Sequence, residues 1–171
     1  MGASIWAFIE YNEEGRSVAF AGINLPRDIE LLGAIAWGDG GDTGDMPFPP
    51  RGFPLDASHQ SREMFFVSEE EVKEYLEISA LEGEEQPSLE EYAEEHGDWA
   101  IKEYRSSGRL PMPELTHYGC LTLAELEANI AQRRVEPGNL LPVTRAMLAA
   151  MRELAASYGE DGVRLVFWMG I

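Results

Sequence analysis

Apolar residues alternate along the start of the chain and leave neither side polar. Ile5, Ala7 and Ile9 fall on one side, Trp6 and Phe8 on the other, with Glu10 the one acid among them. A strand apolar on both faces belongs in the middle of a sheet covered from both sides. Asn12-Glu13-Glu14-Gly15 predicts a turn in which Gly15 takes a positive φ, and Ser17 to Ile23 returns as the antiparallel partner, giving a hairpin over about 3–23. Val163 to Trp168 is a continuous apolar strand around Arg164, rich in β-forming residues. A chain that opens and closes on buried-type strands pairs them.

Between these strands the period changes to that of helices. Pro26 and Asp28 open a short run through Ile29, Leu31, Leu32, Ile35 and Ala36, ending before Gly38. Ser58 caps a helix through Phe65 or Phe66. Ser68 with Glu71, Ser88 with Glu91, and Thr122 with Glu125 are three capping boxes, which fix helix starts near 69, 89 and 123. The second of these helices breaks at Gly97 and resumes from Asp98 to Arg105. Pro111 and Pro113 mark an extended linker, and Pro137-Gly138 ends the third. Val143 to Tyr158 carries apolar residues at 3–4 spacing and stops at Gly159. The expected architecture is α+β: a single domain over 1–171, with a small, mostly antiparallel sheet made of the N-terminal hairpin and the C-terminal strand, packed with about five to six helices. The exception to regular structure is 38–54, where four prolines follow or flank five glycines; a loop of this length in a compact domain is usually functional or disordered.

The 171 residues carry 31 acids against 13 bases, a net charge of −18, and the excess is concentrated. Residues 67–103 hold 14 acids and 2 bases, whereas 104–171 hold 7 of each. This acidic helical segment, about 67–106, repels nucleic-acid phosphates and anionic lipid headgroups, so a nucleic-acid or membrane-surface binder is excluded. A basic protein partner fits the charge. With no basic leader at Met1, no apolar run of bilayer length and one cysteine, the chain reads as a soluble, cytoplasmic protein without a disulfide framework or thiolate metal cluster.

Little in the chain resembles a catalytic motif. Cys120 matches no nucleophile signature and reads as a buried, inert thiol. Asp39, Asp42 and Asp45 recur at every third position of a glycine-rich loop, but lack the alternating ligands and closing Glu of a calcium loop, so neither a metal nor any other cofactor is expected. Arg164, mid-strand among apolar neighbours, needs a carboxylate, and Glu10 is the natural partner for a structural ion pair.

Five blocks, in order, resemble one family of uncharacterised proteins from bacteria and their phages. They are Met1–Tyr11, similar to an MGxDIHxxxEY start; Asn24–Arg27, similar to NxPR; Pro50–Pro54, similar to PRGxP; Leu121–Leu126, similar to WLTLxEL; and Val163–Trp168, similar to a VRxVFWFD end. The resemblance spans the chain and implies a phage or prophage context without an established activity. Ser4 and Trp6 stand where the family has Asp and His, and Met169-Gly170 where it has Phe-Asp, so a metal or acid–base site built on those positions would be lost here.

The leading reading is therefore a non-enzymatic, phage-like interaction protein acting through Glu69, Glu70, Glu74, Glu84, Glu85, Glu90, Glu91, Glu94 and Glu95, since a negative patch steers encounter with a positive one. The alternative is a small hydrolase or nucleotide-handling enzyme whose pocket is lined by the 38–54 loop, with Arg27, Arg51, His59 and His117 supplying charge and proton transfer.

Overall fold

A computed structural model describes residues 4–35, 46–49, 51–80 and 86–170, without the side chains of Ser4 and Thr116. Strand β1 (Ser4–Glu13) pairs antiparallel with β2 (Arg16–Leu25) across a turn in which Gly15 has φ +82° and its N–H donates to Asn12 Oδ1 at 3.0 Å. Helix α1 (Ile29–Ile35) follows. The chain then runs through α2 (His59–Phe65), a two-residue strand β3 (Phe66–Val67), α3 (Glu69–Ser79), α4 (Leu89–His96), α5 (Asp98–Ser107) and a second short strand β4 (Leu110–Pro111). It ends with β5 (Leu115–Thr122), α6 (Leu123–Gln132), α7 (Pro142–Tyr158) and β6 (Val163–Gly170).

The main sheet has the order β2-β1-β6-β5, antiparallel throughout, and β3 pairs with β4 apart from it. The expected pairing of the terminal strands is present, with Ala7 opposite Phe167 and Glu10 opposite Arg164. The fourth strand, β5, replaces part of the expected linker. It was hidden because Gly119 sits in its middle and its register shifts between Leu115 and His117, which breaks the two-residue period. Seven α-helices are present among the described residues, where five to six were expected; Gly97, at φ +106°, divides the acidic stretch into α4 and α5. The third capping-box helix stops at Gln132, five residues short of Pro137.

Alternation along β1 and β6 gives the sheet two apolar faces, the second covered only in part, since Trp6 of β1 is 40% exposed. Ile5, Ala7, Ile9, Leu165 and Phe167 pack with α1, α6 and α7 in the larger core. On the other face Val166 and Trp168 meet Phe53, Phe65 and Phe66. Phe53 is the hub, stacked on Phe65 at 4.0 Å between ring centroids and edge-on to Phe66 and Trp168. Beyond this layer α3, α4, α5 and β4 enclose a third core around Val72, Tyr92, Ala93, Ala100 and Leu110, and Trp99 packs against both. A Cβ on Gly52 would lie 2.6 Å from Trp99 Nε1, so the glycine of the 50–54 block is required by close packing.

Candidate functional site

The charged residues of the sheet converge at one end. A register shift between Ile9 and Glu10 re-aims β1, and the Glu10 carboxylate, fully buried, faces α2. It accepts hydrogen bonds from Ser58 N (2.8 Å), Ser61 Oγ (2.6 Å) and Arg164 Nε (2.9 Å), with Arg164 Nη2 also at 2.8 Å. Arg164 donates further to Asp56 Oδ1, Asp56 O and Ser17 Oγ. Every guanidinium nitrogen is thus committed to a protein acceptor. The network ties β1, β2, β6 and the start of α2 together, and it is structural chemistry: a buried charge whose lone pairs are all met. A second buried carboxylate, Glu103 of α5, takes Arg62 Nη2 at 2.5 Å and Ser107 Oγ at 2.7 Å, locking α5 to α2.

Beside this network lies a cavity of about 190 Å³ lined by Arg51, Asp56, Cys120, Thr122, Asp161 and Arg164, among others. Burial pushes the Cys120 thiol above its ordinary range, and the opposing pull of Arg164 and Arg51 does not reverse it, so the sulfur stays protonated at neutral pH. Arg51 bridges β5 opposite Cys120 and pairs with Glu125 at 2.7 Å. With its thiol protonated, Cys120 is not an activated nucleophile.

The four residues of the enzyme reading are split between the two ends of the sheet. Arg51 and the exposed His59, first residue of α2, lie near Arg164. The exposed Arg27 follows β2, and His117 sits on β5 opposite Met169; Leu25, Ile5, Met169 and His117 succeed one another across four strands. At about 4.8 Å per strand, that puts Leu25, two residues before Arg27, about 14 Å from His117. Only Arg51 of the four lines the cavity.

The acidic residues divide by use. Glu71 and Glu91 close the capping boxes of α3 and α4, and hydrogen bonds from Ser68 and Ser88 hold both carboxyls below their ordinary range. Glu69 pairs with Lys73, and Glu90 with Arg105. Glu70, Glu74, Glu94 and Glu95 are exposed and make no ion pair among the described residues. Glu77 joins them. Glu84 and Glu85, Pro50, and most of the 38–54 loop with its three aspartates, lie outside the described residues. Among the described residues, no group of three or more His, Cys, Asp or Glu side chains could hold a metal ion, and no helix is long and apolar enough to cross a membrane.

Two buried polar residues make long-range ties that the sequence pattern does not show. Asp28 caps α1 through Glu30 N and Leu31 N, and also accepts from Leu141 N (2.8 Å) and Thr144 Oγ1 (2.6 Å) at the start of α7. Asn129 of α6 binds Ala34 O, Phe48 O and Phe48 N, pinning the 46–49 segment to α1 and α6. An Asn on the apolar face of a helix is the signal for the second; for the first, its place at the head of the α1 run signals the cap, but not the tie to α7, because those partners lie 113 and 116 positions away. No family model, curated protein or solved structure matches the chain.

Proposed function

We propose that the protein is a non-enzymatic interaction module that binds a basic protein partner through the exposed carboxylates of α3 and α4. The supporting observation is a stripe on α3. Glu70, Glu74 and Glu77 follow one another at spacings of four and three, all exposed, with no cation paired to them among the described residues. Like charges so spaced repel by a few tenths of a kcal/mol per pair. A cationic partner relieves that repulsion on binding and is steered to the site by the surrounding field. Glu94 and Glu95 on α4 extend the field, and Ile78, 78% exposed, adds apolar contact area on the same helix. A cytoplasmic setting suits the single free thiol, and the phage or prophage context implied by the resemblance suits a small protein whose work is binding.

The test uses an Arg/Lys-rich peptide titrated against the wild type and a variant with Glu70, Glu74, Glu77, Glu94 and Glu95 replaced by Gln. Saturable one-to-one binding that weakens with salt and falls at least about tenfold in the variant supports the reading. Absence of binding, or equal binding by both proteins, rejects it.

A further inference from the structure

The face of the molecule formed by α6 and α7 carries an apolar groove of about 390 Å³, within the size range of small-molecule sites. Helix periodicity builds its walls. Glu127, Ile130 and Ala131 line it from α6 at spacings of three and one; Arg145, Leu148 and Arg152 line it from α7 at spacings of three and four; Val135, Pro137 and Leu140 close it from the connection between them. Its charges are unequal. Arg152 Nε donates to Glu127 Oε1 at 2.6 Å, so those two cancel. Arg145 donates from Nη1 to Leu140 O at 2.8 Å and makes no ion pair among the described residues.

Its Nε and Nη2 have no acceptor among the described residues. Arg145 is thus a groove-lining cation that no carboxylate neutralises among the described residues, in a chain of net charge −18. Arg145 and Arg152 are seven residues apart, about 10 Å along the helix, with the apolar side of the groove between them.

We propose that this groove is a binding site for a small amphiphilic anion, an acyl carboxylate whose chain lies against Ile130, Ala131, Val135 and Leu148 and whose head group is held by Arg145. Charge complementarity selects the head, since the free Nε and Nη2 donors of a guanidinium match a carboxylate in a fork geometry. The apolar lining selects the tail. A neutral chain would gain the apolar contact alone, and a short carboxylate the charge alone.

The experiment is an amide-resolved NMR titration with octanoate, octanol and acetate against the full-length wild type, Arg145→Gln and Ala131→Trp. Arg145 and Ala131 are both exposed, so both variants keep the core, and the NMR spectrum itself reports whether they are folded. Octanoate is expected to saturate at one equivalent, with shifts confined to 127–152, and to bind more tightly than octanol or acetate. Arg145→Gln should weaken octanoate about tenfold or more and leave octanol unchanged, and Ala131→Trp, which fills the groove, should remove both. Scattered, non-saturating shifts, or octanoate binding unaffected by Arg145→Gln, overturn the proposal. So does an acidic amphipathic peptide that binds the groove when octanoate does not.

Discussion

Asp28 shows how far one side chain can act. Burial alone would raise its carboxyl pKa, but the hydrogen bonds from Thr144, Leu141, Leu31 and Glu30 together hold it below its ordinary value of 3.8. A carboxyl whose folded-state pKa is depressed contributes stability that is present in full above the unfolded value and lost as pH falls through the folded one. Wild type should therefore lose more stability than Asp28→Asn as pH is lowered past 3.8, measured as the difference in urea-unfolding free energy between the two proteins at each pH. Asp28→Ala should cost about 3 kcal/mol at neutral pH, from the lost cap of α1 and the lost bond to Leu141 N at about 1 kcal/mol each and a buried hydroxyl left unsatisfied. A cost under about 1 kcal/mol would mean that water replaces the carboxylate, and that the tie between α1 and α7 is weak.

Glu10 belongs to the same scale and obeys a different rule. Its carboxylate is fully buried, and its partner Arg164 is largely so. Removing one member leaves the other charge uncompensated, so Glu10→Met should destabilise by roughly 3–5 kcal/mol, whereas Glu10→Met with Arg164→Met should cost less than the first replacement alone. A double-mutant cycle by chemical denaturation reads this directly. Additive costs would show that the pair is held by Asp56, Ser58 and Ser61 independently. The partnership was legible in the sequence because a lone arginine in an apolar strand and a lone acid in another admit one solution. Its dependence on Ser58, Ser61 and Asp56 was not, since nothing local in α2 points to a strand 48 residues upstream.

At the scale of elements, local rules told most where they were self-contained. The three capping boxes close within four residues, and all three are formed with both reciprocal bonds. Hairpin β1–β2 rests on a turn of adjacent residues. Strand β5 failed the same reading because tertiary pairing with β6, not its own pattern, makes it a strand: the prolines before it and its internal Gly119 argue locally against one. The caps make a quantitative test. Ser88→Ala should cost about 1 kcal/mol by losing the bond to Glu91 N, measured by thermal or urea unfolding. The aromatic and Trp99 contacts connect the α3–α5 core to the sheet, so this loss should appear in one cooperative transition. A separate early transition would mean that the third core melts by itself.

For the whole molecule, the charge distribution makes opposite demands on similar side chains. Glu71 and Glu91 stabilise their helix starts, whereas Glu70, Glu74 and Glu77 repel one another on an exposed stripe. Neutralising the first set removes hydrogen bonds, and neutralising the second removes repulsion. The triple replacement Glu70→Gln, Glu74→Gln and Glu77→Gln should therefore raise Tm at low salt, by about 1–2 °C for repulsions of a few tenths of a kcal/mol per pair in a domain of this size. Glu91→Gln should lower it. Added sodium chloride shortens the Debye length from about 10 Å at 0.1 M to about 3 Å at 1 M, so the wild-type Tm should rise between low and moderate salt and the triple variant's should rise less. Calorimetry at fixed protein concentration across that range separates the two sets. If the triple replacement lowers Tm and its salt dependence matches the wild type's, the stripe is paired with cations after all, and the acidic helices hold the fold together instead of facing a partner.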